Sequence, residues 1–166
     1  IAADISSKNL IIAQQRYPNY YNVEYLRVDF SVKKAKLPQC DVAVCINAIL
    51  TDSVKKRDAF FSNLSRCVKK GGDLILVVPS LESWMLTHII QQHWKIDKKL
   101  FTDKISGAAA LKKYKNMKQG HLDIDHVPTK HYLEEELALL LRQQGFETKR
   151  CQKIEYDWTT EFIKPP

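Results

Sequence analysis

The fold of this chain is decided by two apolar runs in its sequence, VAVCINAI at residues 42–49 and LILVV at residues 74–78. Both runs are rich in β-branched residues and uncharged, which is typical of strands buried on both faces of a parallel sheet. Between them, Asp52 or Ser53 can cap a helix in which Phe60, Leu64 and Cys67 recur at helical spacing. Gly71-Gly72 is expected to end that helix. This order predicts a strand, helix, strand crossover.

The residues before this unit repeat the same order. Residues 1–5 form a short apolar run, and Ser6 or Ser7 can cap a helix that continues to about Tyr17. A second short strand is predicted at residues 26–30, where apolar residues alternate. Strands that alternate with helices at these lengths indicate an α/β fold, with a doubly wound, mostly parallel sheet and helices on both faces.

The second half of the chain departs from this rhythm. Residues 81–130 contain a helical stretch and many lysines, and we interpret them as a helical insertion or lid within one domain that spans residues 1–166. An amphipathic helix follows, with three glutamates in its first turn and Gly145 at its end. From Phe146 onward a final strand is predicted that continues to Pro165-Pro166, since Ile154, Tyr156 and Trp158 alternate.

Composition excludes several classes of protein. With 45% hydrophobic and 27% charged residues in 166, the chain is neither disordered nor of low complexity, and no apolar run approaches the ~20 residues that span a bilayer. The net charge of +7 is spread along the sequence, so a nucleic-acid partner is not favoured. Four cysteines without a CxxC pair predict a reducing, cytoplasmic location and no metal site.

Polar side chains stand where three successive predicted strands end. They are Asp4, Asp29 and Asn47. In an open α/β sheet the ligand lies beyond the carboxyl ends of the strands, and carboxylates there can accept hydrogen bonds from ribose hydroxyls or from an adenine amino group. Each acid alone could instead cap a helix or begin a loop.

In these motifs the sequence resembles the class I S-adenosylmethionine-dependent methyltransferases, starting at their second strand. The resemblance rests on ADIS at residues 3–6, VDF at 28–30, DVAVCIN at 41–47 and KGG at 70–72. It implies a Rossmann-like fold and S-adenosyl-L-methionine as the cofactor. The implied activity is methyl transfer to an acceptor, with a small molecule favoured and protein or nucleic acid left open.

The resemblance also implies roles for five residues. Asp4 would bind the ribose hydroxyls, Ile5 would pack on the adenine edge, and Asp29 would bind the adenine amino group beside Phe30. Asn47 would border the site of methyl transfer. No catalytic residue is assigned.

Two departures from the family pattern concern the ends of the chain. The family's first strand and its glycine-rich turn have no counterpart, and no GxG occurs anywhere in the sequence. In that family the missing strand lies between the strands that end at Asp4 and Asn47, so its absence would leave inner edges unpaired. A seventh strand is also not found, and we expect the chain to be truncated at both ends.

Candidates for binding the acceptor follow the fifth family strand. The resemblance places Ser80, Glu82 and Trp84 there, although the start of a helix explains Ser80 and Glu82 equally well. His131 is a further candidate, as one of three histidines spaced by five residues, and a loop position is the simpler interpretation. That spacing does not favour a metal triad.

Two other functions remain open from the sequence. The same sheet could serve a different nucleotide-binding enzyme, which would also place an acid after its second strand. The absence of a glycine-rich turn is compatible with a non-catalytic scaffold or partner-binding subunit. The sequence does not indicate an oligomeric state.

Overall fold

The computed structural model describes residues 1–94, 106–124 and 126–154, and this part of the chain contains six strands and five helices. Contacts divide the chain into two compact units, residues 1–76 and 77–166. The predicted mixture of helices and strands is confirmed. A single domain with residues 81–130 as an insertion stays a prediction.

The first unit begins with a parallel strand pair joined by a helix. Strand β1 is Ala2–Asp4, helix α1 is Ser7–Arg16 and strand β2 is Tyr25–Arg27, with Ala2 opposite Tyr25. The hydroxyl of Ser6 caps α1 by accepting the Asn9 amide at 3.3 Å, as the sequence predicts. Strand β2 is shorter than predicted, since it ends at Arg27 and a turn begins at Phe30.

The rest of the first unit is a second strand pair with one helix. Strand β3 is Cys40–Ile46, helix α2 is Val54–Cys67 and strand β4 is Val68–Val77, which pairs with β3. The predicted helix end at Gly71-Gly72 is wrong, since these glycines lie inside β4. A side chain at Gly72 would meet the carbonyl oxygen of Asp41, so glycine allows the two backbones to approach.

Strand β3 is not buried on both faces, which corrects the prediction from its apolar run. Val42, Val44 and Ile46 are exposed at 53%, 61% and 62%, while Cys45 between them is buried. Because side chains alternate along a strand, these three residues share one face of β3, and no described helix covers that face as helices do in a parallel sheet buried on both sides. The described strands form three separate two-stranded sheets. A continuous doubly wound sheet is not confirmed.

The core of the first unit lies against one face of α2. Phe60, Phe61 and Leu64 are 8%, 2% and 3% exposed, and Ile49 packs in the same core at 1%. Fully burying such a side chain contributes about 1.5–3 kcal/mol each. Burial of this apolar face, which the helical spacing predicts, therefore holds α2 against the core.

In its described residues, the second unit contains three helices and a hairpin. Its elements are α3 at Leu81–Trp94, α4 at Gly107–Lys118, β5 at His121–Ile124, β6 at Val127–Lys130 and α5 at Glu134–Gln143. Helices α3 and α5 match the predictions. The antiparallel hairpin was not predicted, because its histidines and aspartates gave no clear alternation; His126 in its turn has a φ of 65°.

A buried cation lies where the hairpin meets α5. The Lys130 residue is 2% exposed, and its ammonium donates to the carbonyl oxygen of Gln119 at 2.9 Å and to both Glu136 oxygens at 2.6 and 2.7 Å. It also lies 4.9 Å from the centre of the Tyr132 ring. These contacts satisfy the ammonium and join β6 to α5.

The predicted final strand falls largely outside the described residues. Residues 146–154 contain no strand, and Tyr156, Trp158 and Phe162 lie beyond the described part. Within the part that the structure describes, none of the helices has the length and apolarity needed to cross a bilayer.

Candidate functional site

A cavity of about 720 Å³ opens in the first unit, among β1, β2, β3 and α2. Asp4, Ile5, Asp29 and Phe30 all line it, so the structure brings four of the five predicted cofactor residues together. The volume lies in the range of ~300–1,000 Å³ that is usual for small-molecule sites. This cavity is the candidate functional site.

Asp4 is held beside the N-terminus of α1 by a local turn. One carboxylate oxygen accepts the Ser6 amide at 2.7 Å, and the other is 3.4 Å from the side-chain nitrogen of Asn9. Such a turn is the ordinary reason for an acid before a helix. The second bond is long and leaves acceptor capacity on a carboxylate that lines the cavity.

Asp29 is held in the same way. One of its oxygens accepts both the amide and the hydroxyl of Ser31, at 2.8 and 2.6 Å. Its other oxygen has no partner among the residues that the structure describes. The turn therefore fixes the carboxylate and leaves one oxygen able to accept a hydrogen bond from a ligand.

Asn63 supports this wall of the cavity, and the sequence analysis did not identify it. It is 1% exposed, and its amide nitrogen donates to the carbonyl oxygens of Phe30 and Val32, both at 2.8 Å. The rings of Phe30 and Phe60 are 5.2 Å apart, which adds an apolar contact between the same loop and α2. In the sequence, the feature that could have pointed to Asn63 is a polar amide side chain within the apolar face of the predicted helix.

Asn47 does not line the cavity, although its neighbours Ile46 and Ala48 do. It is exposed and has a φ of 49°, in the left-handed region that asparagine tolerates better than most residues. This conformation ends β3 earlier than predicted. The role of Asn47 beside a methyl-transfer site stays a prediction.

Three of the four cysteines, all of which are free thiols, line the cavity. Burial raises the pKa of Cys45, and burial together with the neighbouring Cys40 raises the pKa of Cys67 to about 11. Both thiols are therefore neutral near pH 7 and serve as part of the apolar lining.

Ser80 and Glu82 lie in the second unit and serve the start of α3. The Ser80 hydroxyl donates to Glu82 at 2.6 Å and accepts the Ser83 amide at 3.1 Å. Burial acts to raise the pKa of Glu82, but hydrogen bonds from Ser80 and from the Glu134 amide outweigh it and lower the pKa overall. These contacts match the interpretation as a helix start; acceptor binding by both residues stays a prediction.

Trp84 and His131 are also in the second unit. Trp84 is half-buried, and its ring stacks on the ring of His88 with 3.9 Å between the ring centres. His131 is 7% exposed, directly after β6, with its Nδ1 atom 3.3 Å from the carbonyl oxygen of Thr129. No described group of three or more histidine, cysteine or acidic residues could hold a metal ion.

Stability should depend on pH through His131. Its pKa is lowered by burial and by the charge of Lys130, so the folded protein favours the neutral ring. The unfolded chain then binds the proton more readily, and the free energy of unfolding should fall as the pH decreases below about 6.5, by at most about 1.4 kcal/mol per pH unit. Urea unfolding at pH 7.5 and 5.5 measures this fall.

The control for His131 uses a second histidine of the hairpin. His131→Gln should reduce the difference in stability between the two pH values, while His126→Gln, at an exposed turn position, should keep it. An equal difference in wild type and His131→Gln would assign the effect to other groups.

The comparison with known families bears on the first unit. In open α/β sheets, ligands bind beyond the carboxyl ends of the strands, and the cavity with Asp4 and Asp29 lies at such a place. Residues 1–76 match the family model described as a methyltransferase domain. The match covers the unit that contains the cavity and agrees there with the resemblance to the class I S-adenosylmethionine-dependent methyltransferases. No curated protein matches the chain.

Proposed function

We propose that this protein transfers a methyl group from S-adenosyl-L-methionine to an acceptor, with the adenosine of the cofactor in the cavity of the first unit. The observation that carries the proposal is that Asp4 and Asp29 line one cavity, each fixed by a local turn and each with acceptor capacity left. The family match over residues 1–76 supports it.

The residues of the cavity suit an adenosine. In this proposal Asp4 accepts hydrogen bonds from the ribose hydroxyls, and the unpartnered oxygen of Asp29 accepts from the adenine amino group. Hydrogen bonds to a charged acceptor contribute about 1.5–3 kcal/mol each. Ile5 and Phe30 supply apolar surface on either side of these polar contacts, which is the usual composition of a small-molecule site.

The chemistry supplied by the bound cofactor is a methyl group on a positively charged sulfur. The part of this chain in the reaction is to bind and orient, because alignment of the reacting atoms supplies most of the acceleration in such a displacement. Buried apolar residues of the lining, such as Ile49 and Leu64, keep water from the inner side of the cavity. No base is assigned.

The remaining features of the proposal concern the whole chain. A Rossmann-like, doubly wound sheet would place the strand ends around the cofactor, and residues 81–130 would act as a lid that selects the acceptor. Ser80, Glu82, Trp84 and His131 would then contact the acceptor, for which we favour a small molecule. We propose a cytoplasmic location, on the basis of the unpaired cysteines.

Calorimetric titration with S-adenosylhomocysteine tests the proposal. We expect the wild-type protein to bind, and Asp4→Ala to weaken the affinity roughly 10- to 150-fold, through the loss of charge-assisted hydrogen bonds. Asp4→Asn should also weaken binding while it preserves the turn to Ser6. The matched control is Asp41→Ala, which removes an exposed acid that does not line the cavity.

Two results would contradict the proposal. A folded wild-type protein that does not bind S-adenosylhomocysteine would favour a scaffold or partner-binding subunit. Equal affinities for wild type and Asp4→Ala would remove Asp4 from the site, even if the ligand binds.

A further inference from the structure

We propose that the first unit carries a second binding site, for a small molecule with two or more phosphate groups. A separate pocket of about 640 Å³ lies between α2 and the loop that follows β2. Four cations line it: Lys33, Lys34, Lys55 and Arg66. These cations are separated along the sequence, so the sequence alone does not show a cluster of positive charge. The fold brings all four to the same pocket.

The positive charge of this pocket is not neutralised by the protein. Asp58 is the only acid among the residues that line the pocket. Among the described residues, no ion pair is found for Lys33, Lys34 or Lys55. Like charges held around a concave surface raise the local potential, and this potential attracts a multiply charged anion.

One wall of the pocket is formed by helix α2. Lys55, Asp58, Ser62 and Arg66 share one face of α2, at spacings of three and four residues, so the helix sets their positions. The guanidinium of Arg66 donates to the side-chain oxygen of Asn63 at 3.0 Å.

The opposite wall is the loop that follows β2, and Asn63 holds this loop as well. The nitrogen of Asn63 bonds the carbonyl oxygen of Val32, directly before Lys33. Lys34 has a φ of 54°, a left-handed conformation that costs a lysine about 1–3 kcal/mol and that the surrounding structure must therefore impose. Loop and helix are thus positioned relative to each other before any ligand binds, which reduces the entropic cost of binding.

The pocket suits an oligophosphate better than a nucleic acid strand. Single-stranded nucleic acids bind through aromatic platforms as well as charge, and no aromatic residue lines this pocket. Its volume accommodates more than one phosphate group, and the hydroxyl of Ser62 offers a neutral donor beside the cations. We therefore assign it to a chain of phosphates on a small molecule.

Titration with sodium tripolyphosphate tests this assignment. The titration is performed at ~0.15 M ionic strength, where interactions between exposed charges more than ~8 Å apart are largely screened. We expect binding to the wild-type protein, and a dissociation constant about tenfold higher for the double variant Lys33→Gln/Lys34→Gln. Asp58→Asn should lower the dissociation constant several-fold, because it removes the only acid of the pocket.

A charge-matched control separates the site from net charge. Lys8→Gln/Arg16→Gln removes two cations from α1, outside the pocket, and should change the dissociation constant by no more than about twofold. Asp4→Ala should leave tripolyphosphate binding unchanged, so failure of this site is distinguishable from failure of the proposed methyl transfer.

Three results would overturn the assignment. They are no binding of tripolyphosphate by the folded wild-type protein, an equal loss in the control variant, and tighter binding of a single-stranded oligonucleotide than of tripolyphosphate.

Discussion

Replacing Glu136 with alanine is expected to lower the free energy of unfolding by about 3 kcal/mol. The side chain of Lys130 is only 3% exposed, and Glu136 is its only carboxylate partner among the described residues. Removal of one partner leaves a buried charge uncompensated, which costs about 3–5 kcal/mol in a fully buried pair. We take the lower end because the Glu136 side chain is 37% exposed.

Urea unfolding of Glu136→Ala and of Glu135→Ala measures this effect. Glu135 lies in the same first turn of α5 and is exposed, so its replacement removes an equal charge from the helix start without touching Lys130. Equal losses of stability in the two variants would show that the pair with Lys130 is not what stabilises the hairpin against α5.

A double variant isolates the contribution of the pair. In Lys130→Met/Glu136→Ala no charge is left without its partner, and an apolar chain of similar length fills the space. We expect this variant to be more stable than Glu136→Ala, because the penalty arises from the unpaired ammonium. A further loss of stability would mean that the cation stabilises the fold through Gln119 and Tyr132 instead.

Replacing Asn63 with alanine is expected to cost about 3 kcal/mol of stability and to weaken both proposed sites. The substitution leaves two carbonyl oxygens, those of Phe30 and Val32, without their donor, and each such loss costs about 1–3 kcal/mol in a buried setting. It also frees the loop that carries Asp29 and Lys33. Urea unfolding measures the stability, and titrations with S-adenosylhomocysteine and tripolyphosphate measure the two affinities.

Two further variants show whether the donors of Asn63 matter. Asn63→Asp preserves the shape and replaces the donating nitrogen with an acceptor, so it should be at least as damaging as alanine. Asn22→Ala removes an exposed asparagine of the same unit and should change stability by less than about 0.5 kcal/mol. A stable Asn63→Asp with unchanged affinities would exclude the proposed positioning role.

The elements of the first unit could be predicted where local patterns decide them. The alternation and capping signals around Ser6 and Ser53 are local, and the structure places both residues at helix starts. Asp4 and Asp29 follow strands whose order alone brings them to one edge. The strand ends therefore indicated these two acids of the cavity, whereas Ile5 and Phe30 were indicated by the family resemblance.

Other features depend on contacts between distant residues. Asn63 gains its role from carbonyl groups about thirty residues earlier in the chain, and the basic pocket joins Lys33 with Arg66. The exposure of β3 depends on which elements pack against its face, a property that its composition does not encode. Asn47 shows the same limit, since it has a left-handed conformation and does not line the cavity.

The exposed row of Val42, Val44 and Ile46 has a consequence for the behaviour of the protein in solution. These side chains also line the cavity of the first unit, and where no ligand covers them they can pack against the same face of another molecule, while charged neighbours such as Asp41 and Lys69 oppose this only at one end. Association through the rest of this face is then opposed by the mutual repulsion of molecules that each carry a net charge of +7. Colloidal stability is therefore electrostatic in origin, and concentrated salt, which screens that repulsion, favours precipitation.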